Sequence, residues 1–213
     1  YTGTGSSATV GHGLASAPEL IIAKNREHSA DWAVGGDDIG SWSNQTLELN
    51  NTAAIVTDSN IFGADPTTSL FTIGTSWKTN RSSYDHIAYC FHSVTGYSKI
   101  GSYTGSGSSG NAITTGFAPA FVIVKNATAI QDWQILDNTR DSHDPRTKRL
   151  EPNNADAEVD DTSYNNCIFT STGFTWQADG GNTNASGQTY VYMAFADKRE
   201  YAYWLDKSGN NND

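Results

Sequence analysis

Residues 17 to 25 read Ala-Pro-Glu-Leu-Ile-Ile-Ala-Lys-Asn, and residues 118 to 126 read Ala-Pro-Ala-Phe-Val-Ile-Val-Lys-Asn, a shift of 101 positions. Each stretch contains four apolar residues in a row, which is typical of a strand covered on both faces. A strand of this kind that recurs at a fixed distance is the first indication of an internal duplication.

Further blocks recur in the same order along the chain. The pairs are residues 1–7 with 103–109, 31–32 with 132–133, 47–51 with 150–154, 79–82 with 183–186, and the apolar strands 86–91 with 190–195. The shift drifts only from 101 to 104, so a few small loop insertions explain it. The sequence predicts one repeat over residues 1–101, a second over 102–200, and the start of a linker or following domain over 201–213. Because the chain begins without Met and stops in a turn-like stretch, we expect a segment of a longer protein.

Composition predicts an all-β protein. The chain is rich in Ser, Thr, Asn and Gly and contains one Met, so it is poor in the residues that favour helices. Each copy has about 100 residues, the size of a sandwich with short strands and frequent turns. Strands 86–91 and 190–195 carry large residues at alternate positions, which predicts one core-facing side. We expect two tandem β-sandwich domains of jelly-roll or lectin-like type.

Charge and hydropathy exclude several classes of protein. The formal net charge is −10 and the pI is about 4.7, which opposes binding to the phosphate backbone of nucleic acids. The longest apolar run has seven residues, 190–196, whereas a membrane-spanning helix needs about 20. We therefore expect no nucleic-acid partner and no membrane insertion.

Four segments of the chain form long and specific motifs. Residues 87–107 read Ile-Ala-Tyr-Cys-Phe-His-Ser-Val-Thr-Gly-Tyr-Ser-Lys-Ile-Gly-Ser-Tyr-Thr-Gly-Ser-Gly, and the others are 116–125 (Gly-Phe-Ala-Pro-Ala-Phe-Val-Ile-Val-Lys), 184–187 (Asn-Ala-Ser-Gly) and 190–196 (Tyr-Val-Tyr-Met-Ala-Phe-Ala). They are similar to a domain of unknown function in tail-fibre-like proteins, especially of marine phages, that often adjoins concanavalin- or laminin-G-like lectin sandwiches. Residues 204–213 resemble the start of such a neighbour. The resemblance implies an all-β fold and a virion location, and it brings no catalytic residues.

Asp31-Trp32 and Asp132-Trp133 are the candidate ligand-binding residues. They occupy equivalent positions in the two copies, so whatever they do is done twice. A Trp ring beside a carboxylate can bind a sugar by stacking and by accepting hydrogen bonds from hydroxyl groups. A Trp at a repeated position is equally what the core of a sandwich requires, and both interpretations stay open at this point.

Two stretches of the chain are candidate calcium sites. Asp156, Glu158, Asp160 and Asp161 offer the oxygen ligands that calcium prefers, and residues 206–212 imitate part of a calcium loop. Neither stretch has a specific motif, so calcium stays a candidate and no cofactor is assigned.

Catalytic and redox signals are weak. Asp141, His143 and Asp144 are the candidate set for catalysis, and no nucleophile elbow or phosphate-binding loop accompanies them. We therefore expect no enzyme. Cys90 and Cys167 lie at non-equivalent positions of the repeat, which favours two buried thiols over a disulfide.

The sequence thus predicts a structural module of a phage fibre or another virion appendage, on the virion surface, that displays or forms part of the host-attachment apparatus. Its expected partners are other virion proteins and further copies of itself, with a trimer favoured. One alternative is a carbohydrate-binding module for a host surface glycan, which predicts exposed aromatic residues beside Asp or Asn in both copies. Another is a subunit of a secreted bacterial adhesin or filament.

Overall fold

The computed structural model describes residues 1–197 of the protein. These residues form antiparallel β-structure with one four-residue helix, α1 (Trp77–Asn80). The predicted all-β class is therefore confirmed. The strands are β1 (Ala8–Gly11), β2 (Leu20–Asn25), β3 (Ala33–Gly36), β4 (Gln45–Glu48), β5 (Val56–Thr57), β6 (Leu70–Ile73), β7 (His86–Phe91), β8 (Ser98–Thr104), β9 (Asn111–Thr114), β10 (Pro119–Asn126), β11 (Gln134–Asp137), β12 (Lys148–Arg149), β13 (Val159–Asp160), β14 (Cys167–Thr170), β15 (Gly173–Trp176) and β16 (Thr189–Ala196).

The two copies build corresponding sheets. The first copy has a five-stranded sheet in the order β5-β4-β3-β2-β7 and a two-stranded sheet β1-β6. The second copy has a four-stranded sheet in the order β11-β10-β16-β8, a pair β12-β13 and a three-stranded sheet β14-β15-β9. A bridge between Ile135 and Leu150 attaches the β12-β13 pair to the edge of β11. The extended order β13-β12-β11-β10-β16 thus matches β5-β4-β3-β2-β7 strand by strand. Within residues 1–197, β8 adds one strand that has no counterpart in the first sheet.

Three apolar clusters lie between these sheets. The central cluster joins the copies, because Ile22 of β2, Ile123 of β10 and Met193 of β16 all belong to it. A second cluster lies between the large sheet of the second copy and β14-β15-β9. A third lies between the large sheet of the first copy and β1-β6. Each large sheet is therefore covered on both faces.

This layering explains the runs of apolar residues in β2 and β10. In β2, Leu20 and Ile22 enter the central cluster, whereas Ile21 and Ala23 enter the cluster beneath β1-β6. Successive residues of a strand point to opposite faces, so a strand between two cores needs apolar residues at every position. The prediction that both faces of this strand are covered is confirmed.

The expectation of a single core-facing side for strands 86–91 and 190–195 needs correction. In β16, Val191 and Met193 enter the central cluster, but Tyr190 and Tyr192 enter the outer cluster of the second copy. Both faces of β16 are thus buried, because this strand also lies between two layers. In β7, by contrast, Tyr89 remains 45% exposed.

The repeated Tyr-Thr-Gly blocks, residues 1–3 and 103–105, are each tied to the later part of their own copy by hydrogen bonds. Tyr1 donates its hydroxyl hydrogen to the carbonyl of Thr79 at 2.6 Å, and Tyr103 donates to Thr183 at 2.5 Å. A Cβ at Gly105 would lie 2.1 Å from the oxygen of Ala185. Only glycine therefore allows the backbone to approach this closely.

Buried asparagines hold the same loops. Asn184 has no exposed surface and donates to the carbonyls of Ser108 and Ala178 at 2.8 and 2.7 Å, while its oxygen accepts from the amide of Ser106 at 2.9 Å. Asn80 is equally buried and makes the corresponding bonds in the first copy. The matched Thr-Asn blocks of the sequence are thus structural.

Within residues 1–197, no helix is long and apolar enough to cross a membrane.

Candidate functional site

The two Asp-Trp pairs are held by the same asparagine clamp. In the first copy, Asn50 donates to the carboxylate of Asp31 at 3.0 Å and accepts from the backbone amide of Trp32 at 2.7 Å. In the second copy, Asn153 donates to Asp132 at 2.7 Å and accepts from the amide of Trp133 at 2.8 Å. Each Asp therefore has a local task in the fold, which is to fix the loop that carries the Trp.

Trp133 is part of the central core. Its side chain is 2% exposed, and its indole Nε1 donates to the carbonyl of Glu48 in the first copy at 3.0 Å. A buried indole N–H needs such an acceptor. Its ring offers no face to a ligand from solvent.

Trp32 has a different environment although its sequence context is the same. Its ring is partly buried against the central cluster and stacks on Tyr89 with centroids 6.4 Å apart and planes inclined by 23°. The ammonium group of Lys24 lies 6.0 Å from the ring centroid of Trp32. Trp32 and Tyr89 together form an aromatic surface that is open to solvent at Tyr89.

Glu48 links the two Asp-Trp pairs. Its carbonyl accepts from Trp133, and its carboxylate forms an ion pair with Lys78. Lys78 in turn lies 3.2 Å from the carboxylate of Asp31. The structure thus brings both predicted pairs to one side of the central core, with a charge network of Asp31, Lys78 and Glu48 between them.

The network shifts the ionisation of its members. The hydrogen bond from Asn50, together with Lys78, lowers the pKa of Asp31 against a smaller opposing effect of burial. Burial disfavours the ammonium form of Lys78, but hydrogen bonds to Glu48 and Asp31 outweigh it and raise the pKa of Lys78. Charged forms of both groups are stabilised, which is what a permanent ion pair requires.

Lys125 is equivalent to Lys24 and lies inside the protein. It is fully buried, and its ammonium group donates to the carbonyls of Thr52 at 3.2 Å and Asn126 at 2.8 Å. Burial lowers its pKa to about 8, although Asp132 opposes this shift. The loop that follows β4 in the first copy therefore packs against the part of the second copy that contains Trp133. The hydrogen bond from Lys125 to Thr52 stabilises this contact.

Two of the acidic residues considered as calcium ligands form hydrogen bonds and ion pairs within the second copy. Asp161 accepts from Arg149 at 2.5 Å and from Asn165 at 2.8 Å, and Glu158 pairs with Arg140 at 2.6 Å. In the described part of the chain, no group of three or more His, Cys, Asp or Glu side chains is placed to hold a metal ion. The calcium-like stretch 206–212 lies outside the described residues.

The candidate catalytic segment is internally bonded as well. Asp141 accepts from the backbone amides of Thr147 at 2.7 Å and Lys148 at 3.1 Å. Asp144 forms an ion pair with Arg146. These carboxylates close the loop between β11 and β12.

The two cysteines are free thiols. Cys90 packs against the cluster beneath β1-β6, and Cys167 belongs to the outer cluster of the second copy. Burial raises the pKa of Cys90 to about 11, so it is protonated at neutral pH. Cys167 is buried as expected, whereas Cys90 is only partly buried.

Sequence reasoning missed the residues that organise the site. Asn50 and Asn153 lie in the matched blocks 47–51 and 150–154, so their repetition was the available signal. Glu48 lies in the same repeated block, with Glu151 as its equivalent. Its contact with Trp133 is long-range, however, as are those of Lys78 with Asp31 and of Tyr89 with Trp32, so no local signal predicts them.

A family model describes most of this chain. Residues 1–199 match the model of a domain of unknown function, DUF7483. The chain belongs to the DUF7483 family. The matched range includes both copies of the duplication, so the two repeats together make up one family domain. No curated protein and no solved structure matches the sequence.

Proposed function

We propose that this DUF7483 chain is a structural module of a phage fibre or another virion appendage, on the virion surface, that displays or forms part of the host-attachment apparatus. We further propose that it is built as two tandem β-sandwiches, with other virion proteins and further copies of the chain as partners and a trimer as the favoured assembly. The resemblance of segments such as 87–107 and 190–196 to tail-fibre-like proteins supports the location.

One observation carries the structural role. The polar residues that recur in both copies are used for internal bonds: Asn50 and Asn153 clamp the Asp-Trp pairs, and Asn80 and Asn184 clamp the Gly-rich loops. A repeated ligand site would instead leave equivalent polar groups directed at solvent. The duplication therefore repeats residues that hold the fold together, rather than residues of a ligand site.

A second candidate function, binding of a host surface glycan, is favoured by the first copy alone. Trp32 and the 45% exposed Tyr89 form a stacked pair beside Asp31 and Lys24. Aromatic rings flanked by hydrogen-bonding groups are suited to sugar stacking. The buried Trp133 gives the second copy no such surface, so this alternative predicts one glycan site per chain.

The test has two arms. Mass spectrometry of purified particles of the encoding phage measures whether the protein is present at fibre stoichiometry, and its absence from the particles would overturn the proposed location. Binding of the full chain to host cells and to a glycan array is then compared for wild type, Trp32→Ala and Tyr164→Ala. Tyr164 is the control because it is an aromatic residue that is 63% exposed and lies in the second copy, between β13 and β14. Saturable binding lost only in Trp32→Ala would favour the glycan module over the structural one, whereas presence in particles without glycan binding supports the structural module.

A further inference from the structure

An aromatic and basic patch lies on the surface of the first copy, beside the helix α1. Trp77 is 45% exposed, and the imidazole ring of His28 meets its indole edge-on, with centroids 5.2 Å apart and planes inclined by 88°. Exposed Trp, Tyr and Arg side chains are typical of binding surfaces. We call this group the Trp77 patch, and its members are Arg26, His28, Trp77, Arg81 and Tyr84.

Four side chains of the patch contact one another in sequence. His28 meets Tyr84 with ring centroids 6.1 Å apart and planes inclined by 75°. The guanidinium carbon of Arg81 lies 4.2 Å from the ring centroid of Tyr84, which is the distance of a cation–π contact. The patch therefore runs from an exposed indole at one end to a guanidinium group at the other.

An asparagine holds the backbone beneath the patch. The side-chain oxygen of Asn25 accepts from the amides of Glu27 and His28, both at 3.0 Å. Its side-chain nitrogen donates to the carbonyl of Trp77 at 3.1 Å. The Nδ1 atom of His28 lies 2.9 Å from the carbonyl oxygen of Ser29, and a carbonyl only accepts, so Nδ1 carries the hydrogen. In the neutral ring, Nε2 is then an acceptor.

The second copy keeps this backbone and lacks the patch. Asn126 accepts from the amides of Thr128 and Ala129, both at 2.9 Å, and donates to the carbonyl of Gly181 at 2.9 Å. The shifts of 101 and 104 place the following residues at the positions of the five patch residues: Ala127, Ala129, Gly181, Ala185 and Gln188. The same backbone thus forms without the aromatic and basic side chains, which indicates that they have a task other than folding.

The acidic side chains near the patch are already bonded. Glu27 accepts from the amide of Asp85 at 2.7 Å. Asp85 accepts from the hydroxyl of Thr2 at 2.9 Å and lies 3.9 Å from Arg26. Within residues 1–197, by contrast, the guanidinium group of Arg81 stacks on Tyr84 and has no hydrogen-bonded or ionic partner. Its planar set of N–H donors matches a carboxylate, which it can hold through two parallel bonds.

We propose that the Trp77 patch binds an acidic oligosaccharide, with one sugar ring stacked on Trp77 and a carboxylate held by Arg81. The C–H face of a sugar ring is suited to stacking on an exposed indole. His28 lies between these two ends and accepts a hydroxyl hydrogen at Nε2. Because the contacts follow one another over several side chains, a single sugar unit would reach only one end of the patch.

The size and charge of the patch favour this ligand over a protein. A stable protein partner needs about 20–30 residues a side, whereas the patch has five. The chain as a whole has a formal net charge of −10 and repels acidic ligands in general. Arg26 and Arg81 give one small area the opposite charge, which confines an acidic ligand to that area.

Calorimetric titration of the full chain tests the proposal. The probes are trigalacturonic acid and sialyllactose, which carry carboxylates, and their neutral counterparts are the methyl ester of trigalacturonic acid and lactose. We expect saturable binding of at least one acidic sugar, and at least about tenfold weaker binding of its neutral counterpart, because the bond of Arg81 to a carboxylate is charge-assisted. Binding should also weaken as the salt concentration rises.

The variants follow the second copy. Trp77→Ala and Arg81→Ala introduce small side chains like those of Gly181 and Ala185, so the urea midpoint should stay close to that of the wild type, while each variant binds the acidic sugar at least about tenfold more weakly. Trp32→Ala is the matched control, because it removes the ring that stacks on Tyr89 and leaves the Trp77 patch intact.

Each outcome decides the matter. Loss of binding in Trp77→Ala and Arg81→Ala, with retention in Trp32→Ala, supports the proposal. The proposal is overturned if neither acidic sugar binds saturably up to about 10 mM, or if binding is lost in Trp32→Ala alone, which would assign the sugar to the surface of Trp32 and Tyr89. A hexaglutamate peptide that binds as tightly as the sugars would overturn it in favour of an acidic peptide. The inference does not depend on a virion location, so it can fail or succeed independently of the proposed function.

Discussion

Replacement of Trp133 by Ala should destabilise the protein far more than replacement of Trp32. A buried Trp side chain removes about 200 Å² of surface from water, which at about 25 cal/mol per Å² corresponds to about 5 kcal/mol. Core Trp→Ala substitutions cost about 3–5 kcal/mol. Trp133 is 2% exposed and bonds to Glu48, so its loss also orphans a buried carbonyl. We expect a loss of about 4–5 kcal/mol.

Trp32 is the matched comparison because the clamp around it is the same. Its ring is partly buried and stacks on Tyr89, and an aromatic pair contributes about 0.5–1.5 kcal/mol beyond its buried area. We expect Trp32→Ala to cost about 1–2 kcal/mol.

The measurement is urea unfolding followed by far-UV circular dichroism, with the midpoint and slope fitted for both variants. For a chain of this size, the difference of about 3 kcal/mol corresponds to a melting temperature lower by about 6–12 °C for Trp133→Ala than for Trp32→Ala. Equal losses for the two variants, or a loss under 2 kcal/mol for Trp133→Ala, would refute the assignment of Trp133 to the core. In that case Trp133 would again be a candidate ligand-binding residue, as the repetition of the Asp-Trp pair suggests.

Three further predictions concern the framework. Asn184→Ala should lower the free energy of unfolding by at least about 3 kcal/mol in the same urea assay, because it leaves several buried groups unpaired at about 1–3 kcal/mol each. A loss under 1 kcal/mol would contradict the role of Asn184 in holding the Gly-rich loop. Gly105→Ala should be more damaging than Gly116→Ala, since a Cβ at Gly105 meets a carbonyl at 2.1 Å whereas Gly116 has open space and only a positive φ of 87°, and equal thermal shifts would count against this. Burial lowers the pKa of Lys125 to about 8, below its value in the unfolded chain, so the unfolded state binds more protons above pH 8 and stability should rise by about 2 kcal/mol between pH 8 and 10. Urea titrations across that range should show no such rise for Lys125→Met, and an identical pH dependence in both proteins would rule the explanation out.

The sequence determined the features that depend on neighbours along the chain. The duplication, the all-β class and the two-sided burial of β2 and β10 all follow from repeated blocks and from four apolar residues in a row, because strand periodicity links pattern to burial directly. The Gly-rich blocks were also recognisable as part of the repeat. Their reason, a close backbone approach held by Asn80 and Asn184, required the structure.

Only the tertiary structure distinguished the two Asp-Trp pairs. Equivalent residues of a duplicated chain share their local environment but not their long-range neighbours. Trp133 is buried because the loop after β4 of the first copy covers it, whereas Trp32 stacks on a half-exposed Tyr89. The placement of β8 is of the same kind. It follows β7 in the chain yet pairs with β16, because packing of the two large sheets against each other brings that edge within reach, and no local pattern encodes this choice.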